Sequence, residues 1–151
     1  MKQPVYLRIA LPTPLRRLFD YLPPQAIDLK ALIPGVRVRV PFQSRVLVGV
    51  LVEAAQKSAI SEGKLKTAIE VIDDAPLFPL DVYQLCQWAA EYYHHSFGEV
   101  LASAMPALLR KGKPAERKIK KSRLEAQAKI DVPPELNAAQ AAAVAAISAA
   151  Q

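Results

Sequence analysis

The first half of the chain alternates apolar and polar positions in short runs, each closed by a turn signal. Residues 5–11 (VYLRIAL) alternate in part and stop at Pro12-Thr13-Pro14, and residues 18–23 (LFDYLP) are rich in aromatics and stop at Pro23-Pro24. Residues 37–42 (RVRVPF) alternate basic and mostly β-branched side chains after the turn signal Ile33-Pro34-Gly35. Residues 45–54 (RVLVGVLVEA) follow almost at once, which predicts a hairpin turning at Gln43-Ser44. Gly49 inside the second run marks either a bulge or a close backbone approach. After a polar connection, residues 66–73 (KTAIEVID) supply a fifth strand. Five short strands at this spacing favour a small closed or partly closed barrel over an open sheet.

From Pro79 the period lengthens. Val82, Leu85, Ala89 and Tyr92 recur at helical spacing, with Trp88 widening the stripe, so residues 80–94 read as an amphipathic helix. Gly98 breaks the pattern, and a shorter helix resumes until Pro106 interferes. A charged connector follows. The chain closes on the alanine-rich stretch ELNAAQAAAVAAISAAQ, helical with Asn137 as N-cap. That stretch has too little side-chain volume to build a core. The whole is of the α+β class: a small barrel, two helices, a basic linker and a terminal helix.

Charge sharpens this division. The net charge of +6 is not spread evenly: residues 1–109 hold 11 basic and 10 acidic side chains, whereas residues 110–129 hold 9 basic and 2 acidic ones. An excess gathered in one segment, with Lys111 and Lys113 at its start, fits either an electrostatic arm for polyphosphate or a solvated linker. No apolar run reaches the length of a membrane span, and charges and prolines interrupt the N-terminal residues where a signal peptide needs an apolar core, so a cytoplasmic protein without a membrane partner is expected.

Several chemistries find no support in the residues. The five glycines, Gly35, Gly49, Gly63, Gly98 and Gly112, fit no phosphate-binding loop, so ATP hydrolysis is not expected of these residues. His94 and His95 are adjacent, about 100° apart on a helix, and cannot form the i, i+4 pair of zinc sites. A role at a helix C-terminus, where imidazole meets the last carbonyls, suits them better. Asp73 and Asp74 read as a solvated turn. Cys86, the single cysteine, reads as a buried small hydrophobe. No catalytic residue and no metal ligand is expected.

Binding chemistry is better represented. Phe19, Tyr21 and Phe42, with Arg16, Arg17, Arg37 and Arg39, are what a single-strand nucleic-acid site uses, because bases stack on rings and guanidinium groups pair with phosphates. The same aromatics also suit a barrel core, and the arginines of RVRV also suit a plain solvent face.

Five segments taken together, RIALPTPLRRLFDYLPP, GVRVRVPF, LKTAIEVID, WAAEYYHHSFGEVLASAMPALLRKGKP and LNAAQAAAVAAI, resemble in order and spacing the N-terminal part of the primosomal protein N′ (PriA) family of replication-restart helicases. The resemblance covers residues 5–115 and 136–148. It implies an OB-like barrel that binds the 3′ end of a nascent strand at an abandoned fork, through positions matched here by Phe19, Asp20, Gln43 and Lys66. The third position is usually glycine in that family. Gln43 is therefore expected to crowd the pocket or to alter how the terminal base is held. A carboxylate only accepts hydrogen bonds, so Asp20 suits a 3′-hydroxyl and repels a phosphate in its place.

The resemblance further implies three regions: a 3′-end DNA-binding domain over residues 1–110, a basic linker or reduced winged helix over 111–135, and the start of a helicase lobe over 136–151. The chain then reads as a fragment, not itself an enzyme, of a bacterial ATP-dependent 3′-to-5′ helicase whose ATP and zinc sites lie elsewhere. Expected partners are single-stranded 3′ ends and forked DNA, with single-strand-binding protein and other primosome proteins. The competing expectation is a protein-interaction module that docks on a helicase core or on single-strand-binding protein.

Overall fold

In the computed structural model, which describes residues 5–25, 27–115 and 135–149, the alternating first half forms five strands. They are β1 (Tyr6–Ala10), β2 (Phe19–Tyr21), β3 (Arg37–Phe42), β4 (Arg45–Ala55) and β5 (Glu70–Val71). All pairs are antiparallel, in the order β2-β1-β4-β3-β5. The two edges meet at one parallel bridge between Leu22 and Thr67, where the Leu22 N–H donates to Lys66 O at 2.9 Å and the Ala68 N–H to Leu22 O at 2.8 Å. The result is a partly closed OB-like barrel, because β5 is too short to pair along a full strand.

Alternation dictates the interior. Leu7, Ile9, Val36, Val38, Val40 and Leu51 point inward with Leu11, Tyr21 and Leu32 and are buried there. A second cluster, Ala10, Val50, Cys86, Leu101 and Met105, lies where β1 and β4 meet the helices, so these two strands are covered on both faces. The β3–β4 hairpin pairs Phe42 with Arg45 around Gln43-Ser44, as the spacing predicts. Of the two expectations for Gly49, close approach is the one realised: a Cβ there would stand 2.5 Å from Ile9 Cγ2 and 2.7 Å from Ala10 O. The bulge lies instead at Val52, where pairing with β1 steps from Arg8↔Glu53 to Ile9↔Leu51.

The helices are α1 (Leu80–Tyr92), α2 (Phe97–Ala104) and the short α3 (Ala107–Arg110), which starts after Pro106. The buried face of α1 is not the expected one. Cys86 and Ala90 face the core with Val82 and Tyr83 partly buried beside them, whereas Leu85, Trp88 and Tyr92 are exposed. Small side chains let α1 approach its neighbours closely, and an indole in their place would hold it off. Gly98 does not break a helix either: it lies in the first turn of α2, where a Cβ would fall 1.8 Å from Leu11 O. His94 and His95 do end α1. His94 has a φ of 51°, its N–H donates to Glu91 O, and the His95 N–H donates to Ala90 O, the paired bonds of a Schellman cap.

Two side chains expected in solvent are structural. Arg37 has no exposed surface. Its Nε and Nη2 donate to Asp73 Oδ2 and Oδ1 at 2.8 and 2.6 Å, and Nη1 donates to Leu109 O and Lys113 O at 2.7 and 2.9 Å. Asp73 also accepts the Arg37 backbone N–H, at 3.0 Å, and its side chain is only 10% exposed, so it is no solvated turn residue. A buried guanidinium must be paired on every side, which is why this cation anchors the residues after α3 to the barrel.

The chain divides into two units, Met1–Glu116 and Arg117–Gln151. The second contains α4 (Ala138–Ala149), whose N-terminus is closed by a reciprocal cap: Asn137 Oδ1 accepts the Gln140 N–H at 2.9 Å and Gln140 Oε1 accepts the Asn137 N–H at 3.0 Å. None of its residues is buried. The expected basic arm beyond residue 115 lies outside the described residues. No described helix is long and apolar enough to cross a membrane.

Candidate nucleic-acid interface

One cavity of about 580 Å³ opens beside β2. β2 supplies Phe19, Asp20 and Tyr21, the end of β3 and the turn after it supply Phe42 and Gln43, and the β4–β5 connection supplies Ile60, Lys64 and Lys66. Phe19, Asp20, Gln43 and Lys66, far apart in sequence, therefore line a single space.

Asp20 sits on its wall with a side chain 13% exposed. Ser58 Oγ donates to Asp20 Oδ2 at 2.6 Å, and Arg8 Nε stands 3.7 Å from Oδ1. Arg8 is placed by register, directly across from Asp20 on β2 and from Glu53 on β4, and its Nη1 donates to Glu53 Oε2 at 2.8 Å. Oδ1 carries no hydrogen bond among the described residues, so the carboxylate keeps acceptor capacity for an incoming donor.

Phe19 is half-buried. Its ring meets Phe42 edge to face at 5.3 Å, and the Arg17 guanidinium lies 4.9 Å from its centroid. Arg17, Lys64 and Lys66 are the cations that line the cavity together with the Asp20 carboxylate. Gln43 has a φ of 52°, in the left-handed region that favours glycine, and its side chain borders the space that glycine would leave open.

The remaining expected residues are distributed differently. Tyr21 borders the cavity but belongs to the core: it is 5% exposed, its hydroxyl donates to Pro41 O at 3.1 Å, and burial pushes its phenol above the ordinary range. Its ring has no open face for stacking. Arg37 is buried as described and is not free to pair with phosphate, whereas Arg39 makes a charge contact with Glu70, Nε to Oε1 at 2.7 Å, and does not line the cavity. Arg16 lines a second cleft of about 280 Å³ with Gln87, Glu91 and His95, and Arg17 borders both. Lys111 and Lys113 follow α3, where Lys113 O accepts from the Arg37 side chain at the start of β3, the opposite end of that strand from Gln43, and neither lysine lines the cavity.

Arg8, Ser58 and Lys64 were not singled out by the sequence. Arg8 is visible only once strand register is known. Ser58 and Lys64 lie in a polar connection without periodicity, where composition alone gives no signal.

Residues 8–106 match the family described as the 3′ DNA-binding domain, 3′BD, of PriA. The chain is 40% identical over 109 residues to the replication restart protein PriA of Haemophilus influenzae, covering 72% of the chain and 14% of that protein. It is 30% identical over 107 residues to PriA of Buchnera aphidicola subsp. Schizaphis graminum, covering 71% and 14%. Against PriA of Treponema pallidum it is 29% identical over 106 residues, covering 68% and 16%. The chain thus matches about a seventh of the length of these curated relatives, and it belongs to the PriA 3′ DNA-binding domain family.

Proposed function

We propose that the cavity beside β2 receives the 3′-terminal nucleotide of a DNA strand, with Asp20 accepting the 3′-hydroxyl, the Phe19 ring and Lys66 bordering the terminal base, and Arg17 and Lys64 meeting the phosphates. One observation carries this reading: Phe19, Asp20, Gln43 and Lys66 line one space although they come from three separate segments. Negative charge is the discriminator. A terminal phosphate would bring like charge against Asp20, whereas a hydroxyl donates to it. Base identity matters little, because every base offers a π-face.

The test compares strands ending in 3′-hydroxyl and 3′-phosphate by fluorescence anisotropy, for the 151-residue chain and Asp20→Ala, at two salt concentrations. The hydroxyl end is expected to bind several-fold more tightly, and Asp20→Ala to abolish that preference while retaining binding. Equal binding of both ends by the unaltered chain would sink the proposal.

For the whole protein the same reading extends to a bacterial cytoplasmic, ATP-dependent 3′-to-5′ helicase that restarts stalled or abandoned forks, its ATP and zinc sites lying outside these residues. Lys111 and Lys113 then open a basic segment that adds salt-sensitive affinity for forked DNA. A second surface favours docking on single-strand-binding protein, another primosome protein or the helicase core. Trp88 stacks on Tyr92 at 4.9 Å, Tyr93 meets Tyr92 edge to face at the same separation, and all three residues are more than half exposed. Substituting Trp88 should leave the end preference intact while weakening capture of such a partner, and loss of the end preference instead would assign the aromatics to the DNA site.

A further inference from the structure

The connection between β4 and β5 does more than wall the cavity. Ser58 Oγ accepts the Ile60 N–H at 3.0 Å and donates to Asp20 Oδ2 at 2.6 Å. A hydroxyl has one proton to give and a carboxylate can only accept, so the pair of bonds fixes where that proton points. The separation is that of a charge-assisted O–H···O bond. On the other side, Arg8 commits Nη1 to Glu53 Oε2 and Nη2 to Lys57 O at 3.3 Å, leaving Nε beyond hydrogen-bond distance of Oδ1. One carboxylate oxygen is tied and the other is not.

We propose that Ser58 is a positioning residue for 3′-end recognition: its hydroxyl clamps Oδ2 so that Oδ1 stands ready for the terminal hydroxyl. The proposal rests on the reading of Asp20 as that acceptor. Arg8 supports the same orientation through charge without consuming the second oxygen. A carboxylate left to rotate would have to be ordered at each binding event, which weakens the hydroxyl contact and leaves stacking and phosphate contacts unchanged.

The experiment uses oligodeoxynucleotides identical except for a 3′-hydroxyl or a 3′-deoxy end, titrated against the full chain and its Ser58→Ala, Ser58→Thr and Asp20→Ala variants. The ratio of the two dissociation constants reads the end contact alone. Ser58→Ala should lower that ratio by about three- to tenfold, the effect of freeing one ordered side chain, without changing affinity for the 3′-deoxy strand. Ser58→Thr, which keeps a hydroxyl, should restore it. A merely structural role for Ser58 would weaken both strands alike and overturns the proposal. An unchanged ratio overturns it too, and a raised one would mean that Ser58 competes with the terminal hydroxyl. If Asp20→Ala, which removes the acceptor, keeps the full ratio, the underlying reading fails; if it loses the ratio while Ser58→Ala keeps it, only the positioning role fails.

Discussion

Asp73→Ala is expected to be among the most damaging single substitutions outside the hydrophobic core, although sequence alone makes Asp73 a surface turn residue. Arg37 has no exposed surface and donates four side-chain hydrogen bonds, two of them to Asp73. Removing the carboxylate leaves a buried guanidinium with only the Leu109 and Lys113 carbonyls, both on Nη1, while Nε and Nη2 lose their partner. An uncompensated buried charge of this kind costs about 3–5 kcal/mol. Against a total stability of about 5–15 kcal/mol for a domain, that is about a fifth or more of what holds it folded. Arg37→Met should cost less, because the methionine stem fills part of the space and Asp73, which reaches solvent where Arg37 does not, still accepts the residue 37 N–H.

In the Arg37→Met background, Asp73→Ala should then lose most of its effect. Urea unfolding followed by far-ultraviolet circular dichroism, on the two single variants and the double, closes the cycle. The reasoning is refuted if Asp73→Ala costs less than about 1 kcal/mol, or if its cost is the same with and without Arg37.

Gln43→Gly should stabilise the β3–β4 hairpin by about 0.5–1 kcal/mol, since relief of the left-handed φ outweighs the entropy glycine adds to the unfolded chain; an unaltered or lower urea midpoint would contradict this. Gly98→Ala should cost more than about 3 kcal/mol, because the new Cβ falls on the Leu11 carbonyl and a backbone atom cannot step aside; a thermal midpoint within a few degrees of the parent would refute the packing. Burial raises the Tyr21 and Tyr83 phenols above their ordinary value of about 10, so below that pH both states hold the proton, and above it the unfolded chain releases it first. Stability should therefore fall as pH climbs past about 10, and spectroscopic titration should find two phenols ionising later than the rest.

Wherever one face of an element was apolar and the other polar, the sequence was legible. Val36, Val38 and Val40, the hairpin turn at Gln43-Ser44 and the Asn137 cap each follow from period, turn chemistry or capping, with no tertiary knowledge. Helix α1 was not, because it is apolar on two sides. Val82, Leu85, Ala89 and Tyr92 satisfy helical spacing as well as Tyr83, Cys86 and Ala90 do, and periodicity cannot rank two stripes. What ranks them is volume: at a close contact with β4 and α2, a thiol and a methyl fit where an indole does not.

The polar residues divide along another line. Asp20 and Asp73 are both aspartates near strand ends, and each meets an arginine of a neighbouring segment, Arg8 and Arg37 respectively. Their difference lies in how completely the arginine is used up. Arg37 gives Asp73 three hydrogen bonds, two on Oδ2 and one on Oδ1, so that nearly buried carboxylate spends most of its acceptor sites on one residue, and the pair is structural. Arg8 spends its donors on Glu53 and Lys57 and touches Asp20 by charge alone, so one oxygen is steadied by Ser58 and the other stays open beside a cavity. Residue type and spacing treat these two aspartates alike. Counting the acceptor sites each has left separates a staple from a binding group, and that count needs the register of β1 between β2 and β4, which no local pattern in the chain contains.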